Sequence, residues 1–351
     1  MAQPVTRPDR KGGTAVGIGA AGLAATLLVL LFVWIVGASM SSPQPHDIPV
    51  GVVGPAPVAQ QVVHGIDAAQ PGAFDPRVYA DADTARAALA RQDVLGVVVL
   101  GQGQDQVLVT GASGDADKQA VLTLGQQLAA HQSAQLQVVD TAPLPHGDEH
   151  GLLAFTLMVG LSLAGLVFQA MLWLRFRGLG RVVWLGSAVA FSLVAGVVAA
   201  SVADLGLGAF GGHLWEVAAI GALLAFATVS TVALLLRVLG FPAFPIATLL
   251  LIQLGIATSG GPLPRQFLPS FYRAVSPGMP GSAEVLAVRR VAYLPNAPIG
   301  TELTVLALWA GAGALLTLAL WTLRTARPTP PAPPESPAPA PTPDIPVQTG
   351  A

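Results

Sequence analysis

Six stretches of the chain are apolar and carry no Asp, Glu, Lys or Arg: residues 12–46, 150–174, 182–203, 217–236, 238–264 and 303–323. They run 35, 25, 22, 20, 27 and 21 residues, and about 20 apolar residues suffice to cross a bilayer as a helix. The pattern predicts transmembrane helices over 13–37, 152–174, 182–203, 215–236, 243–259 and 302–323. A seventh uncharged interval, 119–139, holds six glutamines and a histidine, so it is polar and not a span. Between the first two spans, residues 38–150 change period. Residues 47–53 read as a buried strand ending at Gly54-Pro55, 58–69 have helical spacing, and 77–80 form a short strand candidate. After the cap Asp83, residues 84–90 are Ala-rich and helical. Residues 94–100 are a Val-rich core strand that 106–110 pairs with across a turn, and 115–131 form an amphipathic helix with an acidic first turn. Alternating strands and helices imply a small α/β domain, long enough to bury a core of its own. The expected fold is an α-helical integral membrane protein of six transmembrane helices, with an extracytoplasmic α/β domain between the first and second.

Composition sharpens this. Hydrophobic residues are 53% of the 351 and charged residues 10%, against about 25% charged in soluble domains, which excludes a soluble class. There is no cysteine, hence no disulfide, thiol chemistry or Cys-ligated metal. Fifteen of the seventeen basic residues are Arg, and with abundant Ala, Gly and Pro this fits a GC-rich bacterial coding sequence. The net charge of −2 hides separated patches: residues 41–150 hold twelve acids and four bases. Orientation follows Lys and Arg in short loops. Arg7, Arg10 and Lys11 precede the first span; Arg175, Arg177 and Arg181 lie between the second and third; Arg237 follows the fourth and Arg324 and Arg327 the sixth. These place the N-terminal residues 1–12 and the tail in the cytoplasm, as expected of a multi-pass protein of the plasma membrane. The loop 204–216 has no Lys or Arg. One segment dissents: 260–300 carries Arg265, Arg273, Arg289 and Arg290, yet six crossings put it outside. Its prolines and the apolar run 283–291 suggest short helices lying at the outer membrane surface. The first span is expected to be an uncleaved anchor, because its apolar run 15–36 exceeds the roughly 7–15 residues of a signal sequence. The tail 326–351 is Pro-rich, with nothing to bury, and is expected to be disordered.

Most motifs dissolve on inspection. Gly17-Ile18-Gly19-Ala20-Ala21-Gly22 matches a dinucleotide fingerprint literally but lies inside an apolar span, where small residues serve close helix packing. Gly160/Ala164, Gly186/Ala190 and Gly196/Ala200 share that spacing. His146-Gly147-Asp148-Glu149-His150 matches a zinc-peptidase pattern. Pro143, Pro145 and Gly147 oppose the helix that pattern needs, and no third ligand is evident. The only lysines, Lys11 and Lys118, end no phosphate-binding loop. No catalytic residue, metal site or cofactor is expected. No span carries an acid, base or His near its middle, which argues against proton-driven antiport. Interior polar groups are then Thr156, Gln169, Ser192, Thr228, Thr231, Thr248 and Gln253, an interior suited to a lipid-like or amphipathic cargo.

The order of parts resembles the type-2 permeases of ATP-binding-cassette exporters, in the branch that includes the phage-infection-protein family. Four stretches carry the likeness: Asp47-Ile48-Pro49-Val50-Gly51-Val52-Val53; Ala85-Arg86-Ala87-Ala88-Leu89 followed by Val94-Leu95-Gly96-Val97; Leu144-Pro145-His146-Gly147-Asp148; and Ser259-Gly260-Gly261-Pro262 with Phe267-Leu268-Pro269 and Ser276-Pro277-Gly278-Met279-Pro280. The resemblance implies a permease subunit for a hydrophobic or amphipathic molecule, a homodimer in the lipid bilayer, a separate ATPase subunit and no nucleic-acid partner. It implies a gate in the re-entrant outer segment 260–300, at Gly260, Gly261, Pro262, Pro264, Pro269, Pro277 and Pro280. Where such permeases present an acidic motif to the ATPase, this chain has Arg175-Phe176-Arg177-Gly178-Leu179-Gly180-Arg181, short and basic. The competing expectation is a non-transporting surface receptor or secretion-associated protein that binds through the outer domain; a membrane metallopeptidase resting on His146, Glu149 and His150 is a distant third.

Overall fold

The computed structural model describes residues 10–325, except 102 and 177; the predicted tail 326–351 and the residues before Arg10 lie outside the described residues. Helix α1 (Arg10–Met40) leads into the α/β domain. There β1 (Ile48–Val53), α2 (Ala56–Ala69), β2 (Phe74–Tyr79), α3 (Ala82–Ala90), β3 (Gly96–Val99), β4 (Gln104–Val109), α4 (Asp115–Gln132) and β5 (Gln135–Asp140) follow in order. The sheet runs β2-β1-β3-β4-β5, parallel except for the β3–β4 hairpin. Alternation along β1 sorts the core. Ile48, Val50 and Val52 join the layer under α2 and α4, with Val62, Ile66, Val121 and Leu124. Val53 faces the other way, with Val97, Leu108 and the α3 residues Ala85, Ala88 and Leu89. Asp81 caps α3 by accepting from the backbone N–H of Asp83 and Thr84, so the helix starts two residues before the predicted start and its cap is Asp81, not Asp83. Strand β5 lies at the sheet edge within the polar interval 119–139 and beyond it; none of its residues is buried, so it carries no buried apolar alternation for a sequence pattern to show.

Five helical stretches are long and apolar enough to cross a membrane: Gly22–Met40 of α1, α5 (Leu153–Arg175), α6 with the π-helical turn that follows it (Arg181–Gly206), α7 (Leu214–Leu239) and the stretch Gly300–Leu323 of α12 (Gly300–Thr325). This is a helical membrane protein carrying a small mixed sheet. The predicted span at 243–259 departs from expectation. It forms α8 (Ala243–Ala247), a π-helical stretch (Thr248–Gln253) and α9 (Leu254–Thr258), together one apolar helix Ala243–Thr258 below spanning length. The uncharged interval is long enough, but turns consume its ends. Gly240 and Gly260 both adopt positive φ (68° and 73°), conformations that glycine takes without strain. Sixteen helical residues reach about 24 Å, short of the roughly 30 Å hydrocarbon core.

Helix α7 is the hub. Its apolar window is 72% buried, against 33% or less for the other spans. Three neighbours approach it through glycine. A Cβ on Gly196 of α6 would run into Ala218 O, one on Gly165 of α5 would lie 3.0 Å from Thr228, and one on Gly313 of α12 would lie 2.9 Å from the Ser230 backbone. Lipid supplies no hydrophobic drive for helix association, so backbone proximity of this kind is what holds such helices together. Gly160, Gly186, Gly19 and Gly22 meet nothing within 4 Å, whereas Gly196 of the Gly196/Ala200 pair marks a packed contact.

The segment 260–300 is the larger surprise. It contains α10 (Ser270–Val275) and α11 (Pro280–Tyr293). Far from lying on a membrane surface, α11 is buried over Pro280–Arg289 apart from the half-buried Leu286. It packs against α5, α7, α9 and α12. Its depth follows from its contacts. At one end Arg290 meets Glu302 of α12 at 2.7 Å, while just before the other end Gly278 O accepts from Trp309 Nε1 at 2.8 Å. Seven residues of α12 separate those contacts, about 10 Å of depth. The helix therefore dips into the bundle and returns toward the α/β domain.

Candidate functional site

Two places in the bundle combine burial with chemistry. The first is the junction where the α/β domain meets the helices. Arg289, near the end of α11, is 4% exposed and spends its donors on backbone: Nη2 to Gly151 O at 2.7 Å and Gly261 O at 3.0 Å, Nη1 to Gly260 O at 3.0 Å. Asp148 closes the same junction. Its Oδ1 accepts from Leu152 and Leu153 N–H, capping α5, and its Oδ2 accepts from the Tyr293 hydroxyl at 2.7 Å. From the domain side, Asp117 in the first turn of α4 is buried with Oδ1 lacking a hydrogen-bond partner among the described residues. Burial raises its pKa to about 7, offset in part by the charge of Arg289. Phe267, from the short turn Arg265–Phe267, inserts into the α2/α4 core layer. Domain and bundle are thus joined by charge, backbone bonds and a shared apolar plug.

The Asp117 shift has a measurable sign. Between the ordinary carboxyl pKa and about 7, the folded chain holds a proton that the unfolded chain has released. Stability contributed by this group falls as pH rises through that window and levels off above it. Thermal unfolding of the wild type and Asp117→Asn in detergent between about pH 5 and pH 8 should therefore diverge, the wild type losing on the order of a few kcal/mol relative to the variant. Parallel pH profiles would show that Asp117 is ionised throughout.

The predicted gate residues fall into this junction or beside it. The carbonyls of Gly260 and Gly261 are held by Arg289, and a Cβ on Gly261 would sit 2.6 Å from Phe155 of α5. Pro262 and Pro264 line a small cavity of ≈ 190 Å³ with Gly114, His150 and Arg289. Pro269 caps α10, Pro277 lies in the turn between α10 and α11, and Pro280 opens α11. The structure gathers the first four around Arg289 and leaves the last three along the descent into the bundle. The histidine motif is spent differently. His146 is fully exposed and its ring meets Glu149 at 3.2 Å. Among the described residues no group of three metal-binding side chains exists. The residue of that motif that the fold uses is Asp148, through its bonds to α5 and Tyr293.

Inside the bundle, the interior is not free of ionisable groups. Glu284 of α11 is 0% exposed, and neither carboxyl oxygen has a hydrogen-bond partner among the described residues. Burial holds this carboxyl well above its usual range. Of the seven uncharged polar residues expected inside, Thr156 is exposed instead, and Thr156, Ser192 and Thr248 bond carbonyls in the preceding turn of their own helix. Gln253 reaches across to Leu28 O of α1 at 3.1 Å, and Thr228 is buried with its hydroxyl unpartnered among the described residues. Thr231 is buried on the hub helix.

The second place is a cavity of ≈ 440 Å³ at the end of the bundle remote from the α/β domain. Trp173, Trp184, Trp321, Gln169 and Arg237 line it. Trp184 Nε1 donates to Gln169 Oε1 at 3.1 Å, and the Arg237 guanidinium lies 3.5 Å from the centre of the Trp321 ring. Aromatic faces with one cation suit an amphipathic molecule that bears an acidic or polar head. These residues come from α5, α6, α7 and α12, so no local spacing could have announced them. Comparison with family models, curated proteins and solved structures returns no match for the chain.

Proposed function

We propose that the chain is a membrane transport protein: the permease subunit of an exporter for a hydrophobic or amphipathic molecule. The observation that carries this reading is the pairing of two features at opposite ends of one bundle. An aromatic, Arg-bearing cavity occupies the end away from the α/β domain, and a buried re-entrant helix, α11, occupies the other. Alternating access needs such a pair, a site open at one end and a movable closure at the other. In this reading the apolar helix Ala243–Thr258 completes a sixth crossing. Its start packs with Trp173 near the far end of α5, and the segment after it meets Phe155 near the domain end. The α/β domain then lies outside the plasma membrane, both termini face the cytoplasm, and energy comes from a separate ATPase subunit acting on a dimer.

One observation favours a second reading, in which the α/β domain is a receptor. A groove of ≈ 530 Å³ runs between α2 and α4, lined by Val58, Val62 and Ile66 with Gln61, Gln127 and His131 on its rim. Accumulation of amphipathic fluorescent probes by cells with and without the chain separates the two. Expression should lower accumulation several-fold, Leu172→Trp, which fills the far cavity, should cancel the effect, and Gly65→Trp in the groove should leave it. Sensitivity to Gly65→Trp alone would move function to the receptor reading. No effect on neutral, anionic or cationic probes would overturn transport of amphiphiles.

A further inference from the structure

We propose that Glu284 is a proton-binding site that sets the position of the re-entrant helix: as a neutral acid it keeps α11 buried, and loss of its proton to water drives α11 toward the α/β domain. The inference goes beyond the transport reading, because it concerns how α11 moves whatever the chain carries. It begins with an energetic mismatch. A carboxylate buried without partners costs many kcal/mol, and even the neutral acid leaves a donor and acceptors unpaired here. Among the described residues nothing charged is placed to relieve it. On α11 itself, Arg289 is committed to three carbonyls, Arg290 to Glu302, and Tyr293 to Asp148. Helix α5 has no charged residue before Arg175 at its far end, and α9 has none. Helix α7 has Glu216 in its first turn and Arg237 in its last, and α12 offers Glu302, already paired. The neighbouring side chains on α11 are Ala283, Val285, Ala287 and Val288, all in the apolar core of the bundle.

A metal ion does not fit this environment. Among the described residues Glu284 belongs to no group of three His, Asp or Glu side chains that could hold a metal, and a hard cation requires several oxygens. A proton requires only the carboxyl. Deprotonation therefore cannot occur in the observed position without water, and water is near: Glu284 lies six residues from Arg290, about 9 Å along the helix, and the Arg290 side chain is 22% exposed. Part of the surface along which α11 would slide is glycine against glycine. Gly281 abuts Gly255 and Met158, and α9 is fed by the π-helical stretch Thr248–Gln253, whose looser hydrogen bonding is a recurrent feature of functional sites. Protonation and position are then two sides of one equilibrium, biased by whichever form of the acid each position tolerates.

A hydrophobic carbodiimide, which reaches protonated carboxyls through lipid, tests this on the full-length chain in nanodiscs, read by peptide mass spectrometry between about pH 5 and pH 9. Labelling at Glu284 should fall as pH rises, with its midpoint higher than that of the chain's exposed acids. No labelling at Glu284, or labelling that is constant over the range, would overturn the site. The motion has its own readout. The thiol introduced by Ala287→Cys is buried in the observed position; its rate with a water-soluble maleimide, divided at each pH by that of a cysteine introduced at exposed Val138 to remove the general rise in thiolate, should increase on the order of tenfold at high pH. Adding Glu284→Gln should hold that ratio at its low value. Equal reactivity with and without Glu284→Gln would overturn the coupling even if the acid titrates, and neither measurement depends on knowing a cargo.

Discussion

Arg289→Ala should destabilise the detergent-solubilised chain by about 3–5 kcal/mol, the range seen when one partner of a buried charge network is removed. The variant should run as an aggregated or early-melting species in size-exclusion thermal scans. The argument is one of accounting for backbone groups. Gly151, Gly260 and Gly261 present carbonyls to Arg289 at 2.7, 3.0 and 3.0 Å, and each is buried in the folded chain. Alanine leaves three acceptors unsatisfied, at about 1–3 kcal/mol for each that finds no water. It also removes the positive neighbour of Asp117 and Asp148. Lysine retains the charge but not the planar fork that reaches separate carbonyls, so Arg289→Lys should fall between the two. Arg290→Ala is the control. Its guanidinium is partly exposed, and it bonds Pro298 O and the buried carboxylate of Glu302, so its loss should cost less than that of Arg289, about 1–3 kcal/mol for the acceptors left behind. Equal melting of the two alanine variants would mean that the junction holds domain and bundle together by apolar contact alone.

The parts of this fold that the sequence announces are those that lipid dictates. A helix exposed to hydrocarbon must be uncharged over its whole length, so α5, α6, α7 and α12 appear as gaps in the charge pattern and match their predicted ranges within a few residues. The α/β domain is legible where strands are buried on both faces, as in β1 and β3, and not at the edge, where β5 alternates glutamine with apolar residues. What gap counting cannot see is a buried charged helix. It assigns every acid and base to a loop, and so α11, with Glu284, Arg289 and Arg290, reads as surface. Burial in protein rather than lipid makes those charges tolerable, and that burial is visible only when α5, α7, α9 and α12 are assembled around them. The same holds for the far cavity, whose three tryptophans lie on α5, α6 and α12. The glycine and proline segment 260–280 is legible as a break in helical pattern, but Arg289, which holds the carbonyls of Gly260 and Gly261, reads in the sequence as a loop charge.

Gly196→Leu should be the most damaging single substitution in the spans, and Gly186→Leu in the same helix should be harmless. Both glycines open a small-residue pair of identical spacing, so sequence pattern predicts equal effects. The packing does not. A Cβ at Gly196 would run into Ala218 O and lie 2.7 Å from Ala222 N, backbone atoms of α7 that cannot turn aside. A leucine there must push α6 away from the hub helix, with loss of the contacts of Ala200 and Ala203 in the shared core. Overpacking of this kind costs about 1–3 kcal/mol when side chains can yield, and rigid backbone places it at or above the upper end. Gly186 meets nothing within 4 Å, so leucine there only gains the helix propensity that glycine lacks, about 1 kcal/mol. The measurement is the fraction of each variant that remains monodisperse in mild detergent on warming. A large loss for Gly196→Leu beside none for Gly186→Leu would place the α6–α7 contact at Gly196, and matched losses would mean that α6 also packs through its Gly186 face, against a second copy of the chain.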